Sequence, residues 1–121
     1  MARSPEAVLL TEALAALNDQ QREAAIHDGN LVVFAGPGSG KTRVLTVRAA
    51  HLLATSVPRR SALATITFTN AAADEMRARL GRLGLPQSRR VTIATAHSFC
   101  LNEILPVSYT HLRAHETKAN L

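Results

Sequence analysis

The chain has 121 residues, of which 46% are hydrophobic and 19% are charged, and its formal net charge is +5. This length allows at most one small domain, and the hydrophobic content fits a globular segment rather than a disordered one. A single cysteine, Cys100, excludes an internal disulfide and is typical of a reducing compartment. The sequence has neither an apolar run that could cross a bilayer nor a secretory signal at its start. We therefore expect a cytoplasmic protein without a membrane partner.

The net positive charge has two interpretations. It either favours partners that carry phosphate or reflects a solvated, arginine-rich surface.

The first third of the chain predicts two helices and a strand. Residues 4–6 (Ser-Pro-Glu) are typical of a helix start, with Ser4 as the cap. Asn18 predicts the start of a second helix, and Gly29 predicts its end. Residues 31–35 (Leu-Val-Val-Phe-Ala) are continuously apolar, which favours a short strand covered on both faces.

Helices and strands alternate in the rest of the sequence. We predict a helix from residue 41 to about residue 55, a strand at 64–68, and a helix from 71 to about 83 that Asn70 could cap. A strand at 91–95 and a helix from residue 98 follow. Strands that alternate with helices predict an α/β fold in which helices flank a parallel sheet. In such a sheet ligands bind at the carboxyl ends of the strands.

A glycine-rich segment joins the first predicted strand to the next helix. It consists of Gly36, Pro37, Gly38, Ser39, Gly40, Lys41 and Thr42. Glycines let backbone N–H groups turn toward phosphate oxygens, and the helix N-terminus adds partial positive charge. Lys41 would reach the β- and γ-phosphates, the Thr42 hydroxyl would bind Mg²⁺, and Ser39 could donate to a phosphate oxygen. The generic pattern has glycine where this chain has Ala35. The segment still predicts the nucleotide site of a P-loop NTPase, and the alternative is a turn with a surface lysine.

Four segments in this order resemble the UvrD/Rep family of superfamily 1 DNA helicases. They are residues 17–24, the glycine-rich loop, residues 67–76 and residues 95–99, and the resemblance covers about residues 14–105. It implies that residues 1–105 are the N-terminal part of a first RecA-like ATP-binding domain, with an incomplete sheet. It also implies ATP and Mg²⁺ as cofactors, single-stranded DNA as partner, and a parent enzyme that is an ATP-dependent 3′–5′ DNA helicase, for instance in DNA repair.

On the nucleotide side, the resemblance implies roles for four positions. Gln21 corresponds to a glutamine that reads adenine, and this role is favoured by its spacing to the loop; the alternative is a capping box with Asn18. Lys41 and Thr42 correspond to catalytic residues of the phosphate loop. Arg43 is a second-rank nucleotide contact or a charge on the helix surface.

On the DNA side, the resemblance implies two groups of contacts, formed by Thr67, Phe68, Thr69 and Asn70 and by Thr95, His97 and Ser98. Phe68 would stack on a base, and the other residues would bind the DNA backbone. The alternatives are a core position for Phe68, a purely capping role for Asn70 and a structural role for His97. The family usually has an aromatic residue where this chain has Ala96, so stacking there is not implied.

The end of the sequence has a different character. Residues 107–117 match, residue for residue, the translation of a transposase sequencing adapter, so we predict that 106–121 is a non-native tail. Residues 1–105 contain no acidic residue after an apolar strand that could bind Mg²⁺ or activate water. We therefore expect the chain by itself not to hydrolyse ATP appreciably. Alternative parents are a helicase–nuclease of the RecB/AddA type, a small P-loop kinase and a non-catalytic binding module.

Overall fold

The computed structural model describes residues 5–58, 60–84 and 90–105. The predicted helix cap at Ser4 and the predicted tail 106–121 lie outside these residues. Within them the chain forms helices α1 (Pro5–Ala15), α2 (Asp19–Ile26), α3 (Lys41–Thr55), α4 (Asn70–Arg82) and α5 (Ala96–Phe99), strands β1 (Leu63–Thr67) and β2 (Val91–Thr95), and a π-helical segment (Cys100–Ile104). The predicted bounds of α3 and β2 are confirmed, and β1 lies one residue earlier than predicted.

Strands β1 and β2 pair in parallel, and α4 is the crossover between them. The register joins Leu63 to Val91 at one end and Thr67 to Thr95 at the other. A parallel pair requires such a crossover because its two strands must start at the same edge. The predicted parallel α/β arrangement is therefore present as a two-stranded sheet.

The prediction of a strand at residues 31–35 is wrong for this structure. Residues 30–36 form neither helix nor strand, and Val32 and Phe34 are exposed by 78% and 96%. A strand is defined by hydrogen bonds to a neighbour, and β1 and β2 pair only with each other within the described residues. An apolar run satisfies the local condition for a buried strand, but it forms one only when another strand lies beside it.

The main core lies between α3, α4 and the sheet. Met76 and Leu80, on the inner side of α4, are fully buried, and they pack with Leu53 of α3 and Ile93 of β2. The period of about 3.6 residues in α4 places these apolar side chains on one face. A smaller cluster joins Leu17, Ala25 and Val47, and it packs the N-terminal helices against α3.

Arg48 connects the end of α2 to the middle of α3. Its guanidinium donates to the carbonyl oxygens of Ala24, His27 and Gly29 at 3.0, 2.9 and 3.0 Å. The last carbonyls of a helix have no partner within the helix, and a cation there also interacts favourably with the helix dipole. Arg48 therefore fixes α2 relative to the helix that begins at the glycine-rich loop.

We expect Arg48→Ala to lower the free energy of unfolding by about 2 kcal/mol, because three carbonyl groups lose a charged donor. Arg48→Lys should recover only part of this loss, since an ammonium group cannot reproduce the planar fork of the guanidinium. Urea denaturation measures both changes. Arg82→Ala removes the same charge from an exposed position and serves as the control. Equal stability of the Arg48→Ala and Arg82→Ala chains would contradict this role.

Candidate nucleotide and nucleic-acid site

The glycine-rich loop turns at two of its glycines. Gly38 and Gly40 have φ angles of 76° and 78°, a region that glycine enters without steric cost. Between them, the Ser39 hydroxyl donates to the Gly36 carbonyl at 2.6 Å. The hydroxyl that was predicted to donate to phosphate is thus engaged within the loop.

Gln21 contacts this loop from α2. Its Nε2 donates to the Ser39 carbonyl at 2.9 Å, and a Cβ atom at position 40 would lie 3.0 Å from that nitrogen. A side chain at position 40 would therefore crowd Gln21 in addition to straining the backbone. The turn therefore requires glycine at position 40, and a side chain there would also displace the Gln21 amide.

The capping-box interpretation of Gln21 is confirmed. Its backbone N–H donates to Asn18 Oδ1 at 2.8 Å, and its own Oε1 accepts from the Asn18 N–H at 3.0 Å. Together with the bond to Ser39, these contacts fix the amide at the edge of the loop. Each atom of the amide keeps further bonding capacity, one N–H on nitrogen and one lone pair on oxygen. The adenine role stays a prediction.

A pocket of about 450 Å³ brings most of the predicted nucleotide residues together. Its lining comprises Gln21, Gly38, Ser39, Gly40, Lys41, Thr42, Arg43, Glu75 and Arg79. Of the other loop residues, Gly36 lines a neighbouring pocket of about 530 Å³, and Pro37 lines neither. Three cations and one carboxylate surround the pocket, so its charge suits an anion.

Glu75 and Arg79 were not predicted to lie near the loop. The sequence shows them only as an ion pair four residues apart on the outer side of α4. They reach the pocket because α4 packs against α3, with Met76 and Leu80 in the shared core. No local spacing signals this approach, since it depends on how two helices distant in sequence pack.

The two predicted DNA-contacting groups lie side by side at one end of the sheet. Thr67 and Thr95 are register partners at the carboxyl ends of β1 and β2, and Phe68 follows Thr67 immediately. The Phe68 side chain is 96% exposed, so the alternative that it is a core residue is wrong. His97 and Asn70 are also exposed.

Several hydroxyl groups of these two groups bond to the backbone. Thr69 caps α4 by accepting from the Ala72 N–H at 3.1 Å, so the expectation that Asn70 is the cap is wrong. Both residue types cap well, and the helix starts one residue earlier than predicted. Thr95 is buried and caps α5, accepting from the Ser98 N–H at 3.1 Å and donating to Ser98 Oγ at 3.0 Å.

The two DNA-side groups follow the paired strands β1 and β2, but the glycine-rich loop does not follow a strand of that sheet. A common sheet was expected because each of the three segments follows a predicted strand, but residues 31–35 are unpaired. The loop instead accepts a hydrogen bond from Gln21 of α2 at Ser39 and runs directly into α3.

Two further classes of site are not found in the described part of the chain. Residues 5–58, 60–84 and 90–105 contain no group of three His, Cys, Asp or Glu side chains that could hold a metal ion. The same residues include no helix with the length and apolar content of a membrane span.

Comparison with known proteins identifies the family. Residues 17–120 match the UvrD/REP helicase N-terminal domain. The chain is 46% identical over 86 residues to the ATP-dependent DNA helicase UvrD1 of Mycobacterium tuberculosis. These 86 residues are 70% of the chain and 11% of that protein. The chain is 42% identical over 109 residues to DNA helicase II of Escherichia coli, covering 89% and 14%, and 45% identical over 89 residues to the helicase PcrA of Bacillus subtilis, covering 73% and 12%.

The chain thus spans between 11% and 14% of the length of these relatives. The matched range includes most of segment 106–121, and the adapter origin of that segment stays a prediction. The loop, the position of Gln21 and the two groups beside the sheet all lie within the matched range. The chain belongs to the UvrD/REP helicase family, to whose N-terminal domain it corresponds.

Proposed function

We propose that this chain is the ATP-binding and DNA-contacting N-terminal part of an ATP-dependent 3′–5′ DNA helicase. The observation that carries the proposal is the pocket in which Gln21 and residues 38–43 meet. Backbone turned by two glycines, a helix N-terminus and Lys41 converge there, and each of these favours bound phosphate. The relatives are named as ATP-dependent DNA helicases, which supports the same conclusion.

In this proposal different residues of the pocket bind different parts of the nucleotide. Lys41 and Arg43 bind the phosphates, and the start of α3 adds the positive end of its dipole. Thr42 holds Mg²⁺ through its hydroxyl, and the ion neutralises charge on the β- and γ-phosphates when bound. The remaining N–H and lone pair of Gln21 hydrogen-bond adenine. Since Gln21 also donates to the Ser39 carbonyl, its contact with adenine would connect the bound base directly to the backbone of the loop.

The DNA-contacting part of the proposal concerns the end of the sheet. Phe68 is exposed beside the paired ends of β1 and β2, where it offers a face on which a base can stack. Asn70 and His97 are exposed donors to the DNA backbone. Thr69 and Thr95 shape the turns that present these side chains, because their hydroxyls bond to the backbone.

Lys41→Ala should weaken ATP binding by this chain about 10- to 100-fold, because a charged hydrogen bond to phosphate is lost. Titration with a fluorescent ATP analogue in the presence of Mg²⁺ measures the affinity. Arg60→Ala, which removes one charge from an exposed loop residue, should leave it unchanged. The nucleotide assignment fails if Lys41→Ala and Arg60→Ala bind equally well.

Phe68→Ala should weaken binding to oligothymidylate by about 1–3 kcal/mol, the contribution of one stacked base. Fluorescence anisotropy at fixed low salt measures this affinity, since phosphate contacts make it salt-dependent. Phe34→Ala is a matched control, because Phe34 is equally exposed but belongs to neither strand of the sheet. Undetectable binding of oligothymidylate by the unchanged chain would favour a small P-loop kinase.

We expect no appreciable ATP turnover by this chain, with or without oligothymidylate. Among the described residues Glu75 is the acidic side chain that lines the pocket, and it lies within α4 instead of following an apolar strand, where an acidic residue that binds Mg²⁺ or activates water is expected. A steady-state phosphate-release assay measures the rate. Robust turnover stimulated by oligothymidylate would contradict this expectation.

A further inference from the structure

The ion pair of Glu75 and Arg79 lies in the wall of the nucleotide pocket, although neither residue belongs to the loop. Arg79 also borders an adjoining pocket, together with Arg43. Its side chain is 32% exposed and that of Glu75 is 50% exposed, so the guanidinium is partly shielded from water. A pair on a fully solvated face would not line a pocket with Lys41.

The pairing leaves much of the guanidinium unused. Arg79 Nε and Nη2 donate to the same oxygen, Glu75 Oε1, at 3.1 and 2.9 Å. Nη1 has no hydrogen-bond partner among the described residues, and the planar guanidinium carries further N–H groups beyond the two that Glu75 accepts. Such a fork matches the spacing of phosphate oxygens and binds them in pairs.

The charges around the pocket also indicate that Glu75 opposes the binding of an anion. The lining contains Lys41, Arg43 and Arg79, and Glu75 is its single acidic residue. A polyphosphate brings several negative charges into this space. It would be attracted by Arg79 and repelled by Glu75, and it would compete with the carboxylate for the same N–H groups.

We propose that Arg79 is a further phosphate-binding residue of the nucleotide pocket, and that Glu75 holds its guanidinium there until phosphate replaces the carboxylate. This inference rests on the proposed nucleotide binding and adds a residue from α4 to it. A neighbouring pair on the same helix provides the contrast. Asp74 and Arg77 are joined at 2.7 Å, but neither lines the pocket, and Arg77 also donates to the Ile93 carbonyl.

The two members of the pair should change ATP affinity in opposite directions. Arg79→Ala should weaken ATP binding by the full 121-residue chain about 10- to 100-fold, with a smaller loss for AMP, which has one phosphate group. Arg79→Lys should lie between, because charge is kept and the fork is lost. Glu75→Gln should strengthen ATP binding several-fold, since it removes the repulsion and leaves a neutral acceptor for Arg79.

Titrations with fluorescent analogues of ATP and AMP test these expectations, and thermal unfolding shows whether each variant is folded. Arg82→Ala is the matched control, because it removes one charge from an exposed position of α4 outside this pocket. If Arg79→Ala does not fold, Arg79→Lys and Glu75→Gln decide the question.

Three results would overturn the inference: equal ATP affinity of Arg79→Ala and Arg82→Ala, equal losses for ATP and AMP, or weaker ATP binding by Glu75→Gln. ATP binding that is lost in Lys41→Ala but unchanged in Arg79→Ala overturns this inference alone. No ATP binding by the unchanged chain overturns the proposed function as well.

Discussion

The position of the glycine-rich loop depends on the contact between α2 and the segment that leads into α3. Gln21 donates to the Ser39 carbonyl, and Arg48 closes the other end of the same helix pair through three carbonyl oxygens. The residues joined by these bonds are separated by between 18 and 24 positions in the sequence. Without such bonds a loop rich in glycine would sample many conformations. The pocket beside the loop is therefore formed by the loop and by residues of α2, α3 and α4, and no residue of the two described strands lines it.

Local signals in the sequence were sufficient for part of this arrangement. The helix that begins at Lys41 and the strand that ends at Thr95 were predicted with their observed bounds, because glycines, β-branched residues and apolar periodicity all agree there. The caps illustrate a finer limit, since Thr69 and Asn70 are both good capping residues and only the observed backbone chooses between them. For Gln21 two interpretations were open, and its spacing alone could not show that the capping box forms.

What the sequence could not supply is contact between distant elements. Glu75 and Arg79 reach the pocket through the packing of α4 on α3, which leaves no mark in the spacing of either residue. The prediction of a strand at residues 31–35 was wrong for a related reason. The apolar pattern shows that the segment would suit a buried strand, but whether it pairs depends on a neighbouring strand. The motifs that carry the family resemblance were easier to recognise, because each is a contiguous run of residues.

The segment at residues 31–34 has a practical consequence. It presents Leu31, Val32, Val33 and Phe34 to solvent as one contiguous apolar stretch, with backbone groups that no sheet pairing engages in the described structure. Such a stretch is a template for strand addition by a second molecule and thus a site for self-association at high concentration. Solubility of the purified chain is consequently expected to be governed by these four residues more than by its net positive charge.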